Sequence, residues 1–271
     1  MQASRQETLA SQALLFSIIT VVRNNLDGLK LTKSALDKQT CQEWEWLIID
    51  GNSTDGTKEF ALSCCGERVR AISERDRGIY DAMNKGLRLA TGRYVMFMNS
   101  GDLLATENSL AEAKVACLAE RPDVLFCSSV MNFGILRIPR PVKSPAYIWH
   151  GQPGLHQATI FNRSEHVKFL YDLGYPICAD YDVITRMAAA GLKMRSAPIL
   201  VSENEFNADA NSGRKKVALI LEAARVQRRN LHLGYPRIAV SILRRCGSEV
   251  AAKTLTWIDL LKRKATRDSS K

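Results

Sequence analysis

Short runs of branched and aromatic residues alternate along this chain with stretches whose apolar positions recur every three or four residues. Phe16-Ser-Ile-Ile-Thr-Val-Val22 reads as a buried strand, from its length and β-branched content. A helical stretch over residues 27–38 follows, and then a strand at Trp46–Asp50. Beyond a Gly/Ser/Thr/Asp turn come a helix near Thr57–Cys65 and a short strand at Val69–Ser73. In Gly78–Ala90, Ile79, Met83 and Leu87 fall four apart on one helical face, and Tyr94–Met98 is the next buried strand. Strands alternating with helices of this length predict a parallel sheet covered on both faces. After Asp102 the rhythm loosens. A helix at Asn108–Glu120 and a strand at Val124–Val130 lead into an irregular connection marked by Pro139, Pro141, Pro145 and Pro153. A strand at Ala158–Asn162, a helix at Tyr181–Ala190 and a strand at Pro198–Ser202 complete the pattern, with no internal repeat.

Of 271 residues, 46% are hydrophobic and 24% charged, which allows a sizeable core and excludes a predominantly disordered chain. The net charge of +10 is not evenly spread. Residues 1–213 carry 23 basic and 24 acidic side chains, whereas residues 214–271 carry 15 and 4. With the turn-forming cluster Asp209–Gly213, this shift sets an expected boundary near residue 209, followed by a basic helical tail. There Val250, Thr254/Leu255, Ile258 and Leu261 recur at helical spacing beside Lys253, Lys262, Arg263 and Lys264. Two readings stay open: a helix lying on an anionic membrane surface, or a packed terminal helix with a solvated basic face. Nucleic acid is the weaker partner, because no aromatic interleaving or recognised module accompanies the charge. The longest mostly apolar run, Ala13–Val22, falls short of the roughly 20 residues a membrane span needs, and Glu7 before it argues against a signal peptide. Seven cysteines without a C-x-x-C pair suggest a reduced, cytoplasmic protein.

Ligands of open α/β sheets sit at the carboxyl ends of the strands, and polar residues cluster there after each early strand. Arg23-Asn24 follows the first, Asp50–Gly56 the second, Glu74-Arg-Asp-Arg77 the third and Asn99-Ser-Gly-Asp102 the fourth. A single such loop is ordinarily a solvated turn with a helix cap; four on one edge point to a shared site. No dinucleotide or P-loop glycine pattern, zinc spacing or G-x-S-x-G elbow is present. The Asp50 turn lacks the glycine and glutamate of a calcium loop, having Asp55 and Ala61 there.

Together, Ile49-Asp-Gly-Asn-Ser-Thr-Asp-Gly-Thr57, Ser73-Glu-Arg-Asp-Arg-Gly-Ile-Tyr-Asp-Ala-Met-Asn-Lys-Gly86 and Gly92-Arg-Tyr-Val-Met-Phe-Met-Asn-Ser-Gly-Asp102 resemble a family 2 glycosyltransferase of GT-A fold. The likeness is to the bacterial branch that builds surface polysaccharides. It continues through Leu155-His-Gln-Ala-Thr159 and Ala179-Asp-Tyr-Asp182, covering about residues 13–205. It implies a Rossmann-like, mostly parallel sheet in a domain at 13–208, with a nucleotide-sugar half at 13–105 and an acceptor half at 106–208. Residues 209–271 form the basic helical region.

The implied activity is inverting transfer from a nucleotide-diphosphate sugar, a UDP-sugar, to a lipid-linked or glycan acceptor, in the cytoplasm or at the inner membrane face. The resemblance assigns the donor to Thr20, Arg23, Asp50, Asp76, Arg77, Asp81, Asn84, Lys85, Asn99 and Ser100. It assigns the acceptor and diphosphate side to His156 and Gln157. The departing diphosphate gathers negative charge that a divalent cation offsets, so Mg²⁺ or Mn²⁺ is expected at the family's D-x-D position. Here that stretch is Asn99-Ser-Gly-Asp102, which keeps Asp102 as metal ligand and offers Asn99 as a neutral oxygen. Asp180 matches the family's general base, with Asp182 as its rival two residues on. Asp81 and Lys85 stand four apart and could equally form a surface ion pair. Two other functions remain in view: an inactive GT-A scaffold subunit, and a sugar nucleotidyltransferase. The latter would want a glycine-rich basic loop where Arg23-Asn-Asn-Leu stands.

Overall fold

The computed structural model describes residues 14–132, 136–205 and 216–245. The first half alternates strictly: β1 (Phe16–Val22), α1 (Leu26–Asp37), β2 (Trp44–Asp50), α2 (Thr57–Ser63), β3 (Val69–Ser73), α3 (Ile79–Leu89) and β4 (Tyr94–Phe97). There follow β5 (Leu103–Leu104), α4 (Ser109–Glu120), β6 (Val124–Asn132), β7 (Arg137–Arg140) and β8 (Thr159–Asn162), then α5 (Arg163–His166), α6 (Ala179–Ala189), β9 (Met194–Glu205) and α7 (Lys216–Leu231). A further helix, α8, spans residues 235–245.

One sheet runs β3-β2-β1-β4-β8-β6-β9-β5, with β7 beside β6. Its first four strands are parallel, in register from Phe16↔Trp44 to Val22↔Asp50. The remainder is mixed, which narrows the expectation of a mostly parallel sheet. β8 is reached through the proline-marked connection and not a helical crossover, so it enters antiparallel to both β4 and β6. β5 and β7 carry no periodicity that would announce them, and β9 begins four residues before Pro198.

Both sheet faces are covered. Ile19, Val21, Leu47, Ile49, Val95 and Phe97 face α3 and α6, through Met83, Leu87, Val183 and Ile184. Phe16, Ile18, Ile48 and Met96 face α1 and α4, through Leu29, Leu36, Leu110 and Ala113. All seven residues of β1 and of β2 are buried, so these strands read as continuous apolar runs. α3 lies close on the sheet because Gly86 has no side chain: a Cβ there would stand 2.4 Å from Ile19 Cγ2.

The expected break near residue 209 falls outside the described residues, and beyond it the helices pack on the domain. Glu222 of α7 accepts the N–H groups of Ile177 and Cys178 at 3.0 Å each, capping the start of α6, and Asn230 donates to Asp182 at 2.8 Å. On α8, Ser241 meets His150 Nδ1 at 2.9 Å, while Arg237 and Arg244 each lie 5.2 Å from the Trp149 ring. The helical reading of the tail holds over 216–245; its amphipathic segment at 250–264 lies outside the described residues. Among the described residues no helix is long and apolar enough to cross a membrane.

Candidate active site

A pocket of about 290 Å³ opens where β1, β2 and β3 end, lined by Val21, Val22, Arg23, Gly51, Asp76, Gly78, Ile79 and Ala82. It joins an apolar wall to two opposite charges, the character of a site for a flat polar ring carrying a sugar. Gly51 lets the charged groups converge: a Cβ there would lie 3.1 Å from Asp76 Oδ2 and 3.4 Å from Arg23. Asp76 Oδ1 receives Lys85 Nζ at 2.5 Å, and Lys85 also reaches Glu74 at 2.8 Å. Burial raises the Asp76 carboxyl, with Lys85 opposing that shift. Asp81 takes the Arg77 backbone N–H at 3.1 Å and its guanidinium at 3.3 Å, and that backbone bond lowers its pKa. The i,i+4 pairing of Asp81 with Lys85 is therefore absent; Asp81 instead organises the loop that opens α3.

The second group is the loop after β4. Ser100 exchanges hydrogen bonds with Asn25, each 3.1 Å, and Thr32 Oγ1 accepts Gly101 N–H at 3.0 Å, so the loop sits firmly on α1. Asp102, 7% exposed, accepts the Asn99 backbone N–H and the Asn204 side-chain amide, both at 2.8 Å. The nearby side chains of Gln157 and Asn99 also favour its charged form. Burial pushes the Asp102 carboxyl up to about 6 against these donors. Asn99 Oδ1 is buried with no partner. Among the described residues no group of three or more His, Cys, Asp or Glu could hold a metal. Asp102 and Asn99 supply one carboxylate and one neutral oxygen. That donor set fits a Mg²⁺ or Mn²⁺ ion that arrives with a diphosphate and takes its remaining oxygens from phosphate and water.

The third group is Asp180, in the first turn of α6. Its Oδ1 accepts the Tyr181 N–H at 2.7 Å, the Tyr80 hydroxyl donates to Ile177 O at 2.7 Å, and the nearby Gln152 amide and Tyr80 hydroxyl favour the charged carboxylate. Burial raises the Asp180 pKa against these donors. Ile79 lines the pocket and Tyr80, its neighbour, borders Asp180, so the start of α3 joins the two.

Other residues expected at the site point elsewhere. Thr20 is fully buried in the sheet, accepting Trp46 Nε1–H at 2.8 Å. Asp50 is equally buried, held by Ser53 N–H at 3.0 Å, the Ser53 hydroxyl and Ser73 Oγ at 2.6 Å; it shapes the floor beneath Gly51. Both amide ends of Asn84 clamp the Tyr171 backbone at 2.9 Å. His156 stacks on Phe97 at 5.1 Å with Nε2 on the Tyr171 hydroxyl at 2.8 Å, and burial lowers it to about 4, leaving a neutral ring in an aromatic cluster. Asp182, 1% exposed, is taken up by Arg186 at 2.7 Å and Asn230 at 2.8 Å, which separates it from its rival Asp180. Sequence reasoning missed Gln152 and Asn204. The first stands in a proline-flanked loop and the second near a strand end, and neither belongs to a recognisable spacing.

The profile of glycosyl transferase family 2 matches residues 17–172, more than half of the chain. The chain belongs to glycosyl transferase family 2. A Mycobacterium bovis protein named PGL/p-HBAD biosynthesis glycosyltransferase is 30% identical over 216 residues, 74% of this chain and 80% of the relative. A Bacillus subtilis protein named putative teichuronic acid biosynthesis glycosyltransferase TuaG is 36% identical over 91 residues, 32% of this chain and 36% of its own. Among solved structures, Staphylococcus aureus TarS 1-349 in complex with UDP-GlcNAc has a TM-score of 0.64 at 15% identity, covering 84% of this chain and 70% of that one. Mannosyltransferase PcManGT from Pyrobaculum calidifontis, in complex with GDP-Man and Mn²⁺, has a TM-score of 0.61 at 15% identity, covering 92% and 81%. The fold is GT-A, and this family 2 member is a glycosyltransferase. The family match ends eight residues before Asp180.

Proposed function

We propose that this glycosyltransferase moves a sugar, with inversion, from a UDP-sugar to a glycan or lipid-linked acceptor in cell-surface glycan assembly. The observation that carries the proposal is the polar-rimmed pocket at the ends of β1, β2 and β3, with the Asn99–Asp102 loop beside it through Ser100 N–H on the pocket-lining Val21 O at 3.3 Å. The relatives named for surface-glycan biosynthesis and the UDP-GlcNAc complex of a neighbour support the acceptor class and the nucleotide.

In this reading the nucleoside lies against Ile79 and Val22, with Asp76 and Arg23 binding its polar edges. The diphosphate reaches the Asn99–Asp102 loop, where Asp102 and Asn99 Oδ1 would hold Mg²⁺ or Mn²⁺. The ion, when bound, offsets the negative charge of the leaving diphosphate. Arg77, its side chain 78% exposed, would exchange its 3.3 Å contact with Asp81 for a phosphate oxygen. Asp180 takes the proton of the acceptor hydroxyl as its oxygen bonds to the anomeric carbon from the face opposite the diphosphate. The bond from that carbon to the phosphate oxygen breaks, and the nucleoside diphosphate leaves with its electron pair. Burial favours this role, because a carboxylate raised toward neutral pH is a stronger base than one near 4. The 15 basic residues beyond 213 suit attachment to an anionic membrane face, where a lipid-linked acceptor would lie.

The test is thermal stabilisation by UDP with and without Mn²⁺, in wild type and Asp102→Ala. Wild type is expected to gain more from the pair than from UDP alone, and the variant to lose that increment. An unchanged increment would remove Asp102 from the cation's coordination. No response to any nucleoside diphosphate would overturn the donor reading.

A further inference from the structure

The outer face of α8 is apolar. Ile238 and Ser241 turn inward and are buried, whereas Tyr235, Ala239, Val240 and Leu243 are exposed, the three larger ones at 69%, 44% and 70%. At about 100° per residue these four share one side of the helix. Scattered exposed apolar residues are ordinary, but a cluster on one helix face marks an interaction surface. Its setting is basic. Residues 216–245 hold seven Lys and Arg and one acid, Glu222, which is buried against the start of α6. Arg228 lies over the Tyr235 ring at 4.4 Å, and Arg237 and Arg244, both exposed, border the face while their guanidinium groups stand 5.2 Å from Trp149. Arg229 is turned to Asp172 at 3.5 Å. α4 also exposes two apolar residues, Val115 and Leu118 at 69% and 44%, but between charges of opposite sign, Glu112 and Lys114.

We propose that the outer face of α8 lies on an anionic lipid bilayer, with Tyr235, Val240 and Leu243 entering the acyl boundary and Arg228, Arg237 and Arg244 meeting lipid phosphates. Arginine stems beside apolar side chains keep their charged heads at the level of the headgroups. A nucleic acid would satisfy the arginines and leave Val240 and Leu243 uncovered, and a second copy would set the same basic rim against itself. The chain also continues from Arg245 into the basic, apolar-patterned stretch 250–264, which extends the same chemistry. The surface reaches the reaction through one segment. Beneath α8, His150 Nδ1 meets Ser241 at 2.9 Å and Gln227 donates to Trp149 O at 2.9 Å, while from α6 the Tyr181 hydroxyl donates to Ile148 O at 2.6 Å. Tyr181 follows Asp180, so a bilayer on α8 would bring a lipid-linked acceptor to the side of the domain that carries the proposed base. That purpose rests on the acceptor and base reading above; the surface itself does not.

The experiment is co-sedimentation of the full-length protein with sucrose-loaded vesicles, phosphatidylserine mixed with phosphatidylcholine against phosphatidylcholine alone. Wild type is expected to bind the anionic vesicles and not the neutral ones, and to bind less as salt rises. The double variant Val240→Ser/Leu243→Ser should lower the bound-to-free ratio about tenfold, and Arg228→Glu several-fold. Val115→Ser/Leu118→Ser on α4 is the control and should bind as wild type does. Melting temperatures should hold in all of them, because the replaced side chains already face water. Wild type binding equally to both vesicle types, or the α8 double variant binding as well as wild type, would overturn the proposal. So would sedimentation velocity without lipid that shows a wild-type dimer dissociated by the same variant, since the face would then belong to a second copy. Thermal stabilisation by UDP tests the donor reading separately: its absence in wild type would sink that reading and leave the vesicle result standing.

Discussion

Asp180 and Asp182 stand two residues apart and yet are expected to fail in different ways. Asp182→Ala leaves Arg186 Nε and Asn230 Nδ2 without the carboxylate they meet at 2.7 and 2.8 Å. Removing one side of a buried ion pair costs roughly 3–5 kcal/mol. Arg186 is 28% exposed and can recover some hydration, which places the loss near the lower end, about 3 kcal/mol. At about 2–4 °C per kcal/mol for a domain of this size, the melting temperature should fall by about 6–12 °C. Turnover of the protein that stays folded should change little, because Asp182 touches α6 and α7 and not the cleft. Asp180→Asn keeps shape and polarity, so its melting temperature should hold or rise, whereas transfer should fall by about 10²–10⁴-fold with the loss of a positioned base. The assay pairs differential scanning fluorimetry with nucleoside-diphosphate release at 20 °C, corrected for the folded fraction. An Asp182→Ala protein of unchanged melting temperature and hundredfold lower turnover would exchange the two roles and refute the packing argument.

Gly86→Ala puts a methyl group against Ile19; overpacking of about 1–3 kcal/mol outweighs a helix-propensity gain of about 1 kcal/mol, so thermal denaturation should show a drop of several degrees. His156 and His166, lowered by burial to about 4 and about 3, stay neutral in the folded state while the unfolded chain takes up protons below about 6.5. Stability is therefore complete above that pH and is lost as pH falls toward 4, by up to about 1.4 kcal/mol per unit for each ring, a slope that urea titrations at pH 7, 6 and 5 would reveal. Removing residues 246–271 should weaken co-sedimentation with anionic phosphatidylserine vesicles at low salt and leave UDP binding intact; equal sedimentation would favour the packed reading of the basic segment.

The first half of the sheet was legible because its signals are local. β1 and β3 fall where their β-branched runs place them, and the loops after β1, β3 and β4 meet at one edge, as an open sheet requires. Direction was harder to read. In strands buried on both faces every position is apolar or satisfied, so nothing in the pattern tells that Thr20 turns to Trp46 and not to a ligand. Asp50 was misplaced for the same reason: its partner Ser73 lies on the neighbouring strand, 23 residues on. Asp180 and Asp182 differ by about 200° around α6, and which of them meets the cleft depends on Asn230, a partner 48 residues beyond Asp182. Gln152 and Asn204 become visible only when a carboxylate is brought against them.

The capping of α6 by Glu222 bears on how such enzymes can be recombined. The residues that line the proposed donor pocket lie within those matched by the family, whereas Asp180 and the α7 side chains bracing its helix lie beyond them. A chimaera joined after β9 to a relative's C-terminal segment would keep its nucleotide pocket. It would lose Glu222 and Asn230 unless the graft supplied equivalents. On the proposed reading such a hybrid would bind donor and stall before transfer. Exchange that preserves catalysis must carry α6 and α7 together, as a single heritable block.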